Sequence, residues 1–366
     1  MKHGWTYKKF EDCLEKVVYT SKILSKDYLE EGAFPIVSQE EELISGYWNN
    51  DKDLFHIIKP VVVFGDHTRV LKYIDFNFVL GADGVKILQP TDDIKAKFLY
   101  YYLKWFDVPS LGYSRHYKLL KECLVPVPPL PVQQQICSLL DKLSRVIEAK
   151  KEQLKELDNL AQAIFYDMFG DPATNDKGWE TSTIDNISTE KLSYGSGASA
   201  VEYDGRTRYI RITDINEIGD LNKDIKSPSE IDDKYLLKEG DLLFARSGAT
   251  VGKTYCHNEK NGRCIYAGYL IKMRPNTLKV LPKYVFYYTK TDYYKAFVIN
   301  AQNSVAQPNI NAKQYGALMI TVPPLPLQQA FAEKVEAIER QKELINQSIR
   351  EVQTLFDSRM DYWFSD

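Results

Sequence analysis

Two stretches of the chain carry apolar residues at alternating steps of four and three. In the first they are Ile136, Leu140, Leu143, Ile147, Leu154, Leu157, Ala161, Ile164 and Met168, with Lys150 as a polar interruption. In the second they are Phe331, Val335, Ile338, Ile345, Ile349, Val352, Phe356 and Trp363, interrupted by Lys342 and Arg359. Residues three and four apart share one helix face, so this seven-residue repeat predicts a long helix in each stretch. Pro131 and Pro326 suit the first helical turn, where a missing N–H costs nothing, and mark the starts. Each helix then runs for about 37 residues, roughly 55 Å at the usual rise. Neither can hide its seam alone; equal length and register predict that the two pair with each other, antiparallel. Elsewhere, runs such as 61–64 and 241–245 lie between Gly, Asp and Asn turns and read as strands.

The chain also repeats itself. Gly4-Trp5 returns as Gly178-Trp179, and Tyr100-Tyr101-Tyr102-Leu103-Lys104 as Phe286-Tyr287-Tyr288-Thr289-Lys290. Val127-Pro128-Pro129-Leu130-Pro131-Val132-Gln133-Gln134 returns as Val322-Pro323-Pro324-Leu325-Pro326-Leu327-Gln328-Gln329. The three separations grow along the chain, as in related domains that differ by loop insertions. The stretch Phe169-Gly170-Asp171-Pro172 ends the first helix and leads into the second copy. The expected fold is α+β: two similar mixed α/β globular domains separated by two long antiparallel coiled-coil helices, with pseudo-twofold symmetry.

Composition narrows the classes. A net charge of −3 argues against a surface coated in basic residues, so nucleic-acid contact would come from local patches or be shared with a partner. No run of about 18 apolar residues occurs, and none follows the charged N-terminus, which predicts a cytoplasmic protein without a membrane partner. Five cysteines without a C-x2-C pair predict free thiols and no structural metal site.

A strand–turn–helix domain that ends in Pro-Pro-x-Pro-x-x-Gln-Gln and a long helix, present twice, resembles the specificity subunit of type I restriction-modification enzymes. The resemblance spans the chain and includes Met168-Phe169-Gly170-Asp171-Pro172 before Gly178-Trp179, Phe64-Gly65-Asp66-His67-Thr68-Arg69, Gly81-Ala82-Asp83-Gly84-Val85, and Phe244-Ala245-Arg246-Ser247-Gly248 with Gly252-Lys253. It implies target recognition domains at 1–130 and 178–325, long spacer helices at 131–169 and 326–364, and a linker at 170–177. Each domain would read half of a bipartite, asymmetric double-stranded DNA site. The helices would act as a ruler and dock two methylation subunits. The chain itself would bind no cofactor and carry no catalysis. S-adenosylmethionine would serve the methylation subunits, and ATP with Mg a restriction subunit where one joins.

Base reading needs groove-edge donors and acceptors, whereas phosphate contact needs positive charge and small donors. The segment 109–121 contains Tyr113, Ser114, Arg115, His116 and Lys118 and no acid; its counterpart 300–314 holds Gln302, Asn303, Gln307, Asn309, Asn311 and Lys313, again without an acid. Equivalent positions with different chemistry suit readers of two different half-sites. Residues 242–274 carry Arg246, Lys253, Lys260, Arg263, Lys272 and Arg274 against Glu259 alone, a patch suited to phosphates, joined by Ser247; His67, Thr68, Arg69 and Lys72 occupy the matching stretch of the first copy. Arg206, Arg208 and Arg211 alternate, and either touch DNA or form a solvated face.

Ser247-Gly-Ala-Thr-Val-Gly-Lys-Thr254 imitates a phosphate-binding loop, but Ser247 stands where that motif needs glycine and the following residues read as turn and strand. No nucleophile elbow or metal-ligand cluster accompanies Asp66-His67, and the methyltransferase motif N-P-P-[FY] is absent. The competing reading is a coiled-coil scaffold whose end domains bind proteins without sequence-specific DNA binding; the acid-free segments favour DNA.

Overall fold

The computed structural model describes residues 4–112, 114–302 and 309–365, which fall into two compact units: 1–151 with 347–366, and 152–346. In the first, strand Val61–Gly65 lies between Leu71–Ile74 and Val85–Leu88, antiparallel to both. All five residues of this middle strand are buried, so both its faces are covered, which explains an unbroken apolar run in place of alternation. A second sheet places Phe78–Gly81 beside Phe34–Val37. Helix Ala96–Phe106 packs across the first sheet, and strand Thr6–Lys9 pairs with Leu124–Val127.

The second unit repeats this frame. Strand Leu242–Ala245 lies between Thr254–Cys256 and Leu270–Met273, again antiparallel to both, and helix Pro282–Tyr288 stands where Ala96–Phe106 stands. Thr181–Thr183 pairs with Met319–Thr321 as Thr6–Lys9 does with Leu124–Val127. A parallel pair, Thr207–Ile210 with Arg263–Tyr266, belongs to this unit.

Both long helices begin one residue before their proline, running Leu130–Phe169 and Leu325–Phe364. The first turn of each closes on the preceding proline carbonyls: Val132 N–H donates to Pro129 and Leu327 N–H to Pro324. One turn in, a fully buried glutamine fastens each helix to its domain. Gln133 Oε1 accepts Lys95 N–H at 2.8 Å, and its Nε2 donates to the carbonyls of Asp93 and Pro128, both at 2.8 Å. Gln328 does the same with Leu281 N–H at 2.7 Å and the carbonyls of Lys279 and Pro323 at 3.1 and 2.7 Å. Lys95 and Leu281 are the residues that precede the two domain helices, whose first N–H groups have no partner within their own helix.

Each unit's core is finished by the far end of the other repeat's helix. Phe356, Met360 and Phe364 are buried among the first unit's core residues, and Phe364 meets Phe98 edge to face at 5.4 Å. Phe165 and Phe169 do this in the second unit, where Phe169 meets Tyr284 at 4.8 Å. There the helix segments run antiparallel: Phe169 meets Phe331 edge to face while Asp158 pairs with Lys342 at 2.6 Å. The seam Ile136, Leu140 and Ile147 is buried, Leu143, Leu154, Leu157 and Ile164 are half-buried, and Phe331, Val335, Ile338 and Phe356 are buried with Ile345, Ile349 and Val352 half-buried. The strict seven-residue count fails toward the far end of each helix: in the first, Phe165 and Phe169 are buried while the seam positions Ile164 and Met168 are half-buried. In the second, the count sets Arg359 on the seam, but Arg359 is exposed and Met360 takes the inner position. A helix end enclosed by a domain as well as by another helix buries a second stripe, which a single-partner repeat does not describe.

Gln133→Leu is expected to cost about 3 kcal/mol, because three buried backbone groups lose their partner at about 1 kcal/mol or more apiece. Hydrogen exchange at the Lys95 amide reads this directly, and Gln328→Leu should act the same way at the Leu281 amide. Undiminished protection in both variants would contradict the clamp.

Candidate nucleic-acid interface

In the first unit the chain leaving the middle strand is tied to the acid-free segment. The Asp66 carbonyl accepts both the backbone N–H of His116 at 2.8 Å and its ring Nδ1 at 3.0 Å. The Asp66 carboxylate accepts Tyr117 N–H at 2.8 Å, with Lys86 Nζ 3.9 Å away. Leu111 N–H closes the loop on His116 Nε2 at 2.9 Å. Gly65 admits no side chain here, since a Cβ would stand 2.3 Å from Thr68 Oγ1, whose hydroxyl donates to the Gln39 carbonyl at 2.5 Å.

The second unit builds the same junction from other groups. The Arg246 carbonyl accepts Ile310 N–H at 2.8 Å, and Ser247 bridges to Asn309. Arg246 Nε donates to Asn309 Oδ1 at 3.2 Å while the guanidinium lies 4.7 Å from the Tyr194 ring centre. Tyr194 in turn accepts Ala312 N–H at 3.0 Å. Arginine and asparagine are thus set side by side and half-exposed, a pairing whose free edges match guanine and adenine in a major groove.

The remaining sequence-predicted residues divide by what holds them. In the first unit Thr68, Arg115 and Lys118 are exposed and His67 and Ser114 half-exposed. Arg69 donates to the Val108 carbonyl at 2.9 Å. His116 is 1% exposed, and Lys72 is buried with its ammonium on the carbonyls of Ser38 and Glu42, burial pushing its pKa down. Both face inward and are unavailable to a ligand in this arrangement. In the second unit Arg206 and Lys313 are exposed and Gln302 half-buried. Arg208 is buried and donates to the Asn222 carbonyl at 2.7 Å, so it does not share an open face with Arg206. Asn311 caps helix Ala312–Gly316 by accepting Gln314 N–H. Tyr113, Asn303 and Gln307 lie outside the described residues.

The basic run 242–274 is largely neutralised once folded. Lys253 pairs with Glu217 at 2.8 Å, Arg263 with Asp233 at 2.7 Å and Lys272 with Glu190 at 3.0 Å. Arg274 grips the fully buried Asp241 through two bonds of 2.7 Å, which raises the guanidinium's pKa further. Arg246 and Lys260 remain without an ion pair among the described residues. Sequence reasoning passed over Tyr194 and Tyr269, the latter 62% exposed beside Arg246, whose N–H donates to its carbonyl. The glycines following Tyr194 were the available signal: a Cβ at Gly195 would lie 2.3 Å from two backbone oxygens, so the chain passes close only without a side chain.

Against known proteins, the family model described as type I restriction modification DNA specificity domain matches residues 2–159 and 176–354. The specificity subunit of the Escherichia coli type I restriction enzyme EcoR124I/EcoR124II is 28% identical over 137 residues, 33% of each chain. A putative type I restriction enzyme MjaX specificity subunit from Methanocaldococcus jannaschii is 30% identical over 148 residues, 38% of this chain and 35% of that one. These matches span about a third of the length of both curated relatives. A crystal structure of a type I restriction-modification S subunit from M. genitalium shares the fold, with a TM-score of 0.59 at 16% identity over 99% of this chain and 96% of that one.

Asp241→Asn removes the charge opposite Arg274 at constant volume and is expected to destabilise the second unit by about 3 kcal/mol, the scale for breaking a buried pair. Adding Arg274→Met should recover most of that loss. Urea unfolding of the three forms tests this, and a double variant no better than the single one would refute it.

Proposed function

The chain belongs to the type I restriction modification DNA specificity family, and from that premise we propose that it is the sequence-reading subunit of such a complex. It recognises a split, asymmetric site in double-stranded DNA, one half with each unit, and supplies address rather than chemistry. The observation that carries this reading is the junction built twice at one place in the frame, with His116 and Arg115 in one copy and Arg246 and Asn309 in the other. A pure scaffold would have no reason to vary chemistry at a repeated junction in this way.

Two methylation subunits, using S-adenosylmethionine, dock on the long helices; a restriction subunit using ATP and Mg completes a cleaving complex. The chain acts in the cytoplasm; no helix among the described residues is long and apolar enough to cross a membrane. Among those residues no group of three His, Cys, Asp or Glu side chains is placed to hold a metal ion. The long helices set the distance between half-sites.

Selection from random DNA, with the methylation subunit co-expressed, should enrich a split motif. Arg115→Ala should relax one half and Arg246→Ala the other, each by about 1–3 kcal/mol of discrimination at the affected base. Loss of both halves from either change would contradict separate readers. Removing one heptad from each long helix should shorten the accepted gap by about 3 base pairs, from a rise of about 10 Å per heptad; an unchanged gap would defeat the ruler.

A further inference from the structure

We propose that Tyr194 is a positioning residue that fixes the Arg246 guanidinium with its outer edge open, and that the half-site read by the second unit contains a guanine taken by this arginine. The proposal rests on the reading of that unit as a sequence reader and names one base of its target. The sheet sets the two side chains on one face. Strand Ser193–Tyr194 pairs with Leu270–Met273, which pairs with Leu242–Ala245, so Tyr194, Ile271 and Phe244 form one row. Arg246 follows two residues after Phe244, where its N–H still donates to the Tyr269 carbonyl at 3.1 Å, and so rises on the same face as Tyr194.

Two contacts then hold the guanidinium. The Tyr194 ring centre lies 4.7 Å from its carbon, and Asn309 Oδ1 accepts its Nε–H at 3.2 Å. The Tyr194 hydroxyl accepts Ala312 N–H at 3.0 Å, which ties the ring to the segment that carries Asn309. What remains is the outer edge: neither Nη donates to a protein acceptor among the described residues, and no carboxylate pairs with the group there. Two parallel N–H bonds on that edge match O6 and N7 of guanine, which accept together in the major groove. A free arginine would lose its rotamer freedom on binding; here the stack and the Asn309 bond have already restricted it. The first unit has no such group. Asp66 stands where Arg246 stands, one residue past the middle strand, and its carbonyl receives His116 N–H as the Arg246 carbonyl receives Ile310 N–H. The Asp66 side chain is 2% exposed and accepts Tyr117 N–H, so it turns inward where the arginine stays open. The guanine contact is therefore a property of the second unit alone.

Random-DNA selection with the full chain and its methylation subunit reads base preference position by position. The wild type should enrich a split motif with one guanine whose preference Arg246→Gln abolishes. Tyr194→Leu should lower the preference at that position about tenfold, the scale of one bidentate base contact, and leave every other position of both half-sites unchanged. Tyr194→Phe keeps the stacked ring and should keep the preference. Because Tyr194 is 41% exposed, its loss should leave thermal unfolding near the wild-type midpoint. A loss spread over all positions in Tyr194→Leu, with a lowered midpoint, would mark a merely structural tyrosine and overturn the proposal. Uniform weakening in Arg246→Gln with an unchanged motif, the signature of a phosphate contact, would overturn it too. The NMR signal of the Arg246 Nε–H gives an arm independent of DNA: it should fade in Tyr194→Leu and in Asn309→Ala and persist in Tyr194→Phe, and a signal indifferent to all three refutes the positioning role. A split motif that answers to neither Tyr194 nor Arg246 defeats the guanine contact and leaves the sequence-reading function standing. No split motif from the wild type would sink that function and the contact together.

Discussion

A primary amide shut away from water at the start of each long helix has to place two donors and one acceptor among protein groups alone. Gln133 and Gln328 do so with the same three kinds of backbone partner: a carbonyl of the helix entry, a carbonyl ahead of the domain helix, and the N–H at that helix's start. The geometry permits little else, since an unpaired amide at such a site is costly. Domain helix and long helix are thereby locked to a common origin. From that origin the aromatic contacts follow: Tyr102 reaches the Leu124 carbonyl and Tyr288 the Met319 carbonyl, equivalent bonds in equivalent strands.

The prolines and the glutamine therefore act together. Proline starts the helix where its lost donor is harmless, and the glutamine, one turn on, spends its donors on carbonyls that the irregular entry leaves over. This is a sequence motif with a mechanical role, and its duplication carries a duplicated architecture. The two junctions sit at the far end of the middle strands, on a frame that is the same in both units, so the loops there are free to differ.

Much of this was legible in the chain. The seam residues from Ile136 to Leu157 and from Phe331 to Phe356 announced the helices because burial on one face leaves a periodic trace. Phe165, Phe169, Met360 and Phe364 were harder, because the surface they meet belongs to a distant part of the sequence. The acid-free segments stood out by composition alone. What holds them did not: the acceptors are carbonyls of Asp66 and Arg246, and a carbonyl has no letter in the sequence. The basic run 242–274 misled for a related reason. Its neutralising partners, Glu190, Glu217, Asp233 and Asp241, are scattered along the chain, and three of them lie outside the run by more than a few residues.

The burial of Phe356, Met360 and Phe364 in the first unit bears on how the protein is made. Translation runs from the N-terminus, and domains ordinarily close as they emerge. Here the strands and helix within residues 6–127 must wait for residues 356–364 before their apolar floor is covered. Until residues 356–364 have been made the first unit stays incomplete, with Phe98 and Tyr102 lacking Phe364. A chain cut just before Phe356 would leave this unit's core unsealed.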